Sequence, residues 1–265
     1  QQRSSAASDV YKRQSISLSG EYELGRLWLA MYRGSTKEHS DPLMRTYLED
    51  LIYRLSETSE VRDRRFEFII LEDESINAFA APGGIIGINL GMFLNTKREG
   101  ELASVMCHEL AHLSQRHYAR SQNRSSPLAN ALMILGSIAV AAASRNPEAI
   151  MIAPAAMQQM SINYTRSNEK EADRIGFNNL VKAGFDPNDM TMMFQRMQDK
   201  YQREDSEQFS YLMTHPLPSE RLTDMRIRAD NISKPSEGSF RDNLDFYFMQ
   251  KLSLIHISEP TRRTP

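Results

Sequence analysis

Two histidines four residues apart, with a glutamate directly after the first, stand in the run Cys107-His108-Glu109-Leu110-Ala111-His112. On a helix, positions i and i+4 share a face, with Cβ atoms roughly 6 Å apart. Both imidazoles can then reach one zinc ion at about 2.0–2.1 Å. Glu109 is rotated about 100° around the helix from His108. It can approach a water activated beside the metal, and take its proton, without being a ligand itself. The flanking apolar residues Leu102, Val105, Met106, Leu110 and Leu113 bury such a helix. A buried helix holding two histidines and a glutamate needs something to satisfy them.

A catalytic zinc takes three protein ligands and keeps one position open. His117, five residues beyond His112, projects to a different face and reads as a flanking residue or a support to the ligands. Cys107 points away from the pair and reads as a small core residue. The better third ligand is acidic. In Asn168-Glu169-Lys170-Glu171-Ala172-Asp173, Glu169 and Asp173 lie on one helical face. Glu169 can bind the metal, and Asp173 can orient a histidine ligand through its free ring N–H. Glu171, rotated about 200° from Glu169, falls off that face. Taken alone, such an acidic run reads as a solvated helix face.

The elements that carry these residues follow from capping and periodicity. Residues 21–33 read as a helix. Residues 41–55 read as a second, with Asp41 as cap, Pro42 in the first turn and a stripe of Leu43, Tyr47, Leu48, Leu51, Ile52 and Leu55. Residues 66–71 (FEFIIL) and 85–90 read as strands, with 77–80 extended and a Pro82-Gly83-Gly84 turn between. The long motif helix is expected over 97–120, opened by a Thr96/Glu99 capping box. Helices follow at 167–183, stopped by Gly184, at 187–202 and at 219–232. The pattern predicts an α+β fold, mostly helical with a small antiparallel sheet.

Composition bounds the function. The 265 residues carry a net charge of −2 and one cysteine. There is no basic, aromatic-interleaved stripe, so nucleic acid is not an expected partner, and a lone cysteine excludes an internal disulfide. Most of the fifteen methionines fall between residues 106 and 225 and read as core filler. The longest apolar run, 131–143, falls short of the roughly 18 residues of a membrane span. Together with 149–160 it suits a buried helix, or a flap in contact with a membrane surface or substrate. Residues 1–14 and 252–265 resemble translated sequencing-adapter read-through and are expected to lie outside a metallopeptidase domain at 15–251. His256 falls in that tail and receives no role.

I-N-A-F-A-A-P-G-G at 76–84, H-E-L-A-H at 108–112, N-E-K-E-A-D-R-I-G at 168–176 and T-H-P-L-P-S-E-R at 214–221 occur in this order. The set resembles the zinc peptidase family of the HtpX heat-shock protease and the CAAX prenyl endopeptidases, in particular its periplasmic BepA-like branch. The resemblance spans residues from about 21 to about 249. It implies a zincin-like (gluzincin) fold and one Zn²⁺ per chain. It makes His108, His112 and Glu169 the zinc ligands, Glu109 the general base and Asp173 the orienting carboxylate. His215 and Arg221 match the third motif, whose histidine either closes the metal as an extra ligand or contacts the reacting carbonyl. Asn77 matches a sheet position that holds substrate backbone. An edge strand there could bind a peptide by β-augmentation. The only departure is Cys107, where small apolar residues are common.

The function expected is a periplasmic zinc endopeptidase. Its substrates would be misfolded or stalled outer-membrane protein precursors, and the outer-membrane assembly machinery is a candidate partner. The alternative is a chaperone-like or scaffolding module with a latent metal site; the intact Glu109 favours the enzyme. An intramembrane prenyl-protein protease is disfavoured by the lack of a spanning run. The helical-repeat domain of the BepA-like branch would begin near residues 242–252. His215 stands between two functional readings. The prolines of Thr214-His215-Pro216-Leu217-Pro218 make its segment a loop. It could fold back as a latent fourth ligand, or stay off the metal and stabilise the oxyanion beside Arg221.

Overall fold

The computed structural model describes residues 16–36, 38–122, 165–202, 210–232 and 243–258. The apolar run 131–160 lies outside the described residues. The chain opens with α1 (Leu18–Ser35), capped by Ser17, whose Oγ accepts from Gly20 N at 3.0 Å. Then comes α2 (Pro42–Glu57), where Asp41 Oδ1 accepts from Leu43 N and Met44 N at 2.8 and 3.2 Å. The expected stripe is off by one at its start. Leu43 faces solvent at 65% exposure and Met44, three and four residues before the buried Tyr47 and Leu48, fills the core.

Three strands follow: β1 (Glu67–Leu71), β2 (Ala78–Ala81) and β3 (Ile85–Asn89). Their order is β1-β3-β2, with β2 antiparallel and β1 parallel to β3. The sheet is therefore mixed, where an antiparallel one was expected. Gly83 and Gly84, at φ 77° and 79°, fold β2 tightly onto β3. The 72–77 connection carries the chain past β3's position before β2 begins, which leaves β2 at the edge. β3 is buried at every position, as a central strand must be. Trp28, Leu29 and Tyr32 of α1 cover one sheet face against Ile69, Phe79 and Ile85. The other face meets the main helical core.

After the short α3 (Leu90–Asn95) comes α4 (Glu99–Ser114), the motif helix. No Thr96/Glu99 capping box forms. Thr96 Oγ1 bonds back to Met92 O and Phe93 O, and Glu101 Oε2 accepts from Lys97 N at 2.7 Å. Glu99 is drawn inward by Tyr47 Oη and Arg54 Nη2, at 3.0 and 2.9 Å. The single helix expected to residue 120 is broken at Arg116, whose φ is 52°. Beyond that kink α5 (His117–Gln122) sets off in a new direction.

Helix α6 (Arg166–Lys182), capped by Thr165, lies along α4. Gly176 makes that approach possible: a Cβ there would sit 3.0 Å from the carbonyl of Cys107 and from His108 Cα. Gly184, at φ 87°, follows the helix end. Next are α7 (Pro187–Tyr201), α8 (Ser210–Thr214), α9 (Ser219–Asp230) and α10 (Leu244–Ser258). Methionines 44, 92, 106, 190, 193, 197 and 225 all lie in the core, as read from composition. Helix α10 continues past residue 251, with Ser253 buried and Leu252 and Ile257 packed on the core. His256 bonds Asp41 Oδ2 at 3.2 Å. Helix α10 runs to Ser258. No helix among the described residues is long and apolar enough to cross a membrane.

Candidate metal centre

α4 presents His108 and His112 to α6, and their Nε2 atoms are 3.0 Å apart. Glu169, in the first turn of α6, reaches between them: its Oε2 is 3.4 Å from His108 Nε2 and its Oε1 3.4 Å from His112 Nε2. His215, in the loop after α8, completes the group from above. Its Nδ1 lies 3.1 Å from both Glu169 oxygens and 3.4 Å from His108 Nε2. All four residues are buried. Ligands at about 2.0–2.1 Å from a tetrahedral zinc sit roughly 3.3–3.4 Å from one another. The observed separations, 3.0–3.4 Å, lie at or just below that spacing. Three ring nitrogens converging with a carboxylate, sealed from water, are a donor set that fits a divalent cation.

The site is electrostatically tense as bare side chains. Burial works against a charged His108, yet the Asp173 and Glu169 carboxylates push its pKa up to about 9. Burial and the neighbouring charge of His108 drive His112 the other way, well below the usual histidine value. Burial would raise Glu169, but His215 and His108 hold it well below the ordinary carboxylate range. Glu109, buried beside the same group, is raised by burial, opposed by the charges of His215 and His108 and by the Tyr211 phenol. Its Oε1 is 3.6 Å from His215 Nε2. Glu109 is thus beside the donor cluster and outside it, as its helical phase requires.

The outer residues fall into place around this group. His108 Nδ1 is 3.0 Å from Asp173 Oδ1. Arg221, from α9, grips Asp173 with Nε at 2.6 Å and Nη2 at 2.8 Å, and its Nη1 reaches Pro216 O at 2.6 Å and Glu169 Oε2 at 3.0 Å. The guanidinium therefore stands behind the carboxylates, with each of its three nitrogens turned to an acceptor. Asn77 is buried just before β2, and its carbonyl accepts from Asn89 N. Tyr211 N donates to the adjacent Ile76 O at 3.2 Å, which ties the His215 segment to the sheet edge. A groove of about 620 Å³ runs past His112 between Ala80–Gly84 and Arg116. Cys107 points away and receives Asn179 Nδ2 at 3.4 Å.

The family model for peptidase family M48 matches residues 42–229. The chain belongs to peptidase family M48. M48 is a metallopeptidase family, so a metal cofactor and protein substrates go with membership. Among curated relatives, the chain is 43% identical over 220 residues to a putative beta-barrel assembly-enhancing protease of Vibrio cholerae; the match covers 81% of this chain and 45% of that one. It is 38% identical over 225 residues to the beta-barrel assembly-enhancing protease of Escherichia coli, covering 82% and 45%. It is 27% identical over 197 residues to the mitochondrial metalloendopeptidase OMA1 of Schizosaccharomyces pombe, covering 72% and 56%. The chain spans less than half the length of the first two relatives.

Within the M48 region, two site residues escape sequence reasoning. Tyr211 is buried, stacked on His215 with ring centroids 4.6 Å apart, and one turn ahead of it. A Tyr-x-x-x-His spacing is the only signal it leaves, and it is a weak one. Glu171 is the other. It leaves the Glu169 face as expected, but meets His117 Nε2 at 3.1 Å.

Proposed function

We propose that this M48 chain is the zinc endopeptidase portion of a periplasmic protein that cleaves misfolded or stalled outer-membrane β-barrel precursors. His108, His112 and Glu169 would hold one Zn²⁺, which supplies Lewis acidity to a scissile carbonyl and to water. Glu109 takes the water's proton and passes it to the leaving amine. Asp173 and Arg221 hold His108 and Glu169 in aim. With its three nitrogens turned to Asp173, Glu169 and Pro216 O, Arg221 is read here as positioning these groups and not as the oxyanion donor of the sequence expectation. Asn77 and β2, the last strand in the sheet order, are suited to align a peptide as an added strand along the groove. Assignment to β-barrel precursors, to the periplasm and to the outer-membrane assembly machinery as partner rests on the sequence resemblance and on the names of the relatives.

The observation that carries the reading is the set of four converging donor atoms with Glu109 beside it. The position of His215 supports a latent resting state, in which its Nδ1 would join the other three donors in holding the ion and keep water from it until substrate or a partner lifts the loop. The test is the zinc content of the purified protein, with casein cleavage followed before and after chelation. One zinc per chain and chelator-sensitive cleavage are expected. Tight zinc with no cleavage, even after the loop is released by His215→Ala, would favour the chaperone-like or scaffolding alternative.

A further inference from the structure

His117 sits on the far side of His112 from the donor cluster. It begins α5, directly after the left-handed Arg116. That kink turns its ring back onto α4, where it is fully buried. Its Nδ1 lies 2.9 Å from His112 Nδ1, and its Nε2 lies 3.1 Å from Glu171 Oε2. Arg120 Nη1 donates to the same carboxylate oxygen at 2.8 Å. Arg116 is pinned in turn by Glu21 Oε2 at 2.7 Å and by Ile16 O.

We propose that His117 and Glu171 are positioning residues that set the tautomer and aim of His112 through a carboxylate–imidazole–imidazole chain. This rests on the reading of His112 as a metal ligand. Two facing Nδ1 atoms share one proton. If His112 is to offer a lone pair at Nε2, its proton must sit on Nδ1 and be donated to His117 Nδ1. The His117 proton is then on Nε2, donated to Glu171. Every donor meets an acceptor. The opposite arrangement fails at both ends: a lone pair on His117 Nε2 would face the Glu171 carboxylate, and an N–H on His112 Nε2 would point into the donor cluster. Glu171, at the outer end, therefore selects the arrangement that leaves His112 ready to ligate.

The two ligand histidines are thus supported differently. His108 leans on the Asp173 carboxylate directly, whereas His112 reaches its carboxylate through a second ring. Ligand histidines generally hand their second N–H to an acceptor that fixes ring orientation, and losing that acceptor typically weakens metal binding about 10–100-fold.

The test measures Zn²⁺ affinity of the full chain by competition with a chelating dye, together with the visible spectrum of the Co²⁺ form. Neither readout needs proteolysis. His117→Ala should weaken zinc binding about 10–100-fold and alter the Co²⁺ bands. His117→Asn places an amide oxygen where Nδ1 was and should restore most of the affinity. Glu171→Ala should weaken binding in the native background and add nothing in the His117→Asn background, where no tautomer remains to be selected. Folded His117→Ala protein with unchanged affinity and Co²⁺ spectrum overturns the proposal. If His117→Ala does not fold, native affinity in Glu171→Ala overturns it instead. A native chain that binds no zinc at all would defeat the functional reading and not the chain alone.

Discussion

Asp173 and Arg221 meet in a two-pronged ion pair closed to solvent, at 2.6 and 2.8 Å, while Asp173 Oδ1 also lies 3.0 Å from His108. One carboxylate thus joins a ligand of α4 to an arginine of α9. Asp173→Ala should lower zinc affinity about 10–100-fold, less than Glu169→Ala, which removes a ligand. Arg221→Ala leaves a buried carboxylate without its arginine and should destabilise the fold by about 3–5 kcal/mol. Dye competition and urea unfolding measure the two effects. Equal zinc loss in Asp173→Ala and Glu169→Ala would make Asp173 a ligand.

Glu109→Gln should keep zinc, since the side chain lies outside the donor cluster, and lose proteolysis by at least the roughly 10²–10⁴-fold typical of a general base. Cleavage of an unfolded substrate near the native rate would refute the role. Zinc content is measured on the same preparation, so loss of metal cannot imitate loss of the base.

His215→Ala removes the ring that closes the cluster. Basal casein cleavage and self-cleavage should rise while zinc stays bound through His108, His112 and Glu169. Activity lost with zinc retained would instead return His215 to the oxyanion role.

Asp189 offers a test away from the site. It is buried in α7 against Gly100, with Arg98 Nη1 3.5 Å from its Oδ1. Burial raises its pKa to about 7, opposed by the Arg98 charge. An acid with a raised folded pKa binds more protons folded than unfolded between about pH 4 and 7. Its contribution to stability is present below that window and is lost as pH rises through it. Asp189→Asn should therefore lose less stability than the native chain between pH 5 and pH 8. Parallel urea midpoints at the two pH values would contradict this.

The convergence of His108, His112 and Glu169 was legible because it depends on local spacing: His108 and His112 four apart, Glu169 and Asp173 four apart, each pair on one helical face. Helices α2 and α7 were legible from Asp–Pro starts whose carboxylates do cap them. What escaped depends on long-range packing. Nothing in an arginine announces φ 52°, so the break at Arg116, which aims His117, reads as helix. Thr96 and Glu99 have the residues of a capping box, but Tyr47 and Arg54 from α2 compete for Glu99 and win. Strand periodicity tells which residues are extended but not which strand is central, so the mixed sheet was read as antiparallel. Glu171 was placed correctly off the ligand face, and its partner there, reached across 54 positions of sequence, was invisible.

The contact at Gly176 makes the metal geometry answerable to a position that never touches a ligand atom. Glu169 and Gly176 are two turns apart on one helix, with Gly176 lying against the backbone of Cys107 and His108. A methyl group there would act as a wedge beneath a lever arm. Even a tilt of a few degrees, carried along two turns, would lift the carboxylate off the imidazole pair while leaving every side chain of the cluster unchanged. The bite of the two helices is set by the smallest side chain available, so the site's tolerance is measured in fractions of an ångström at a place remote from its chemistry.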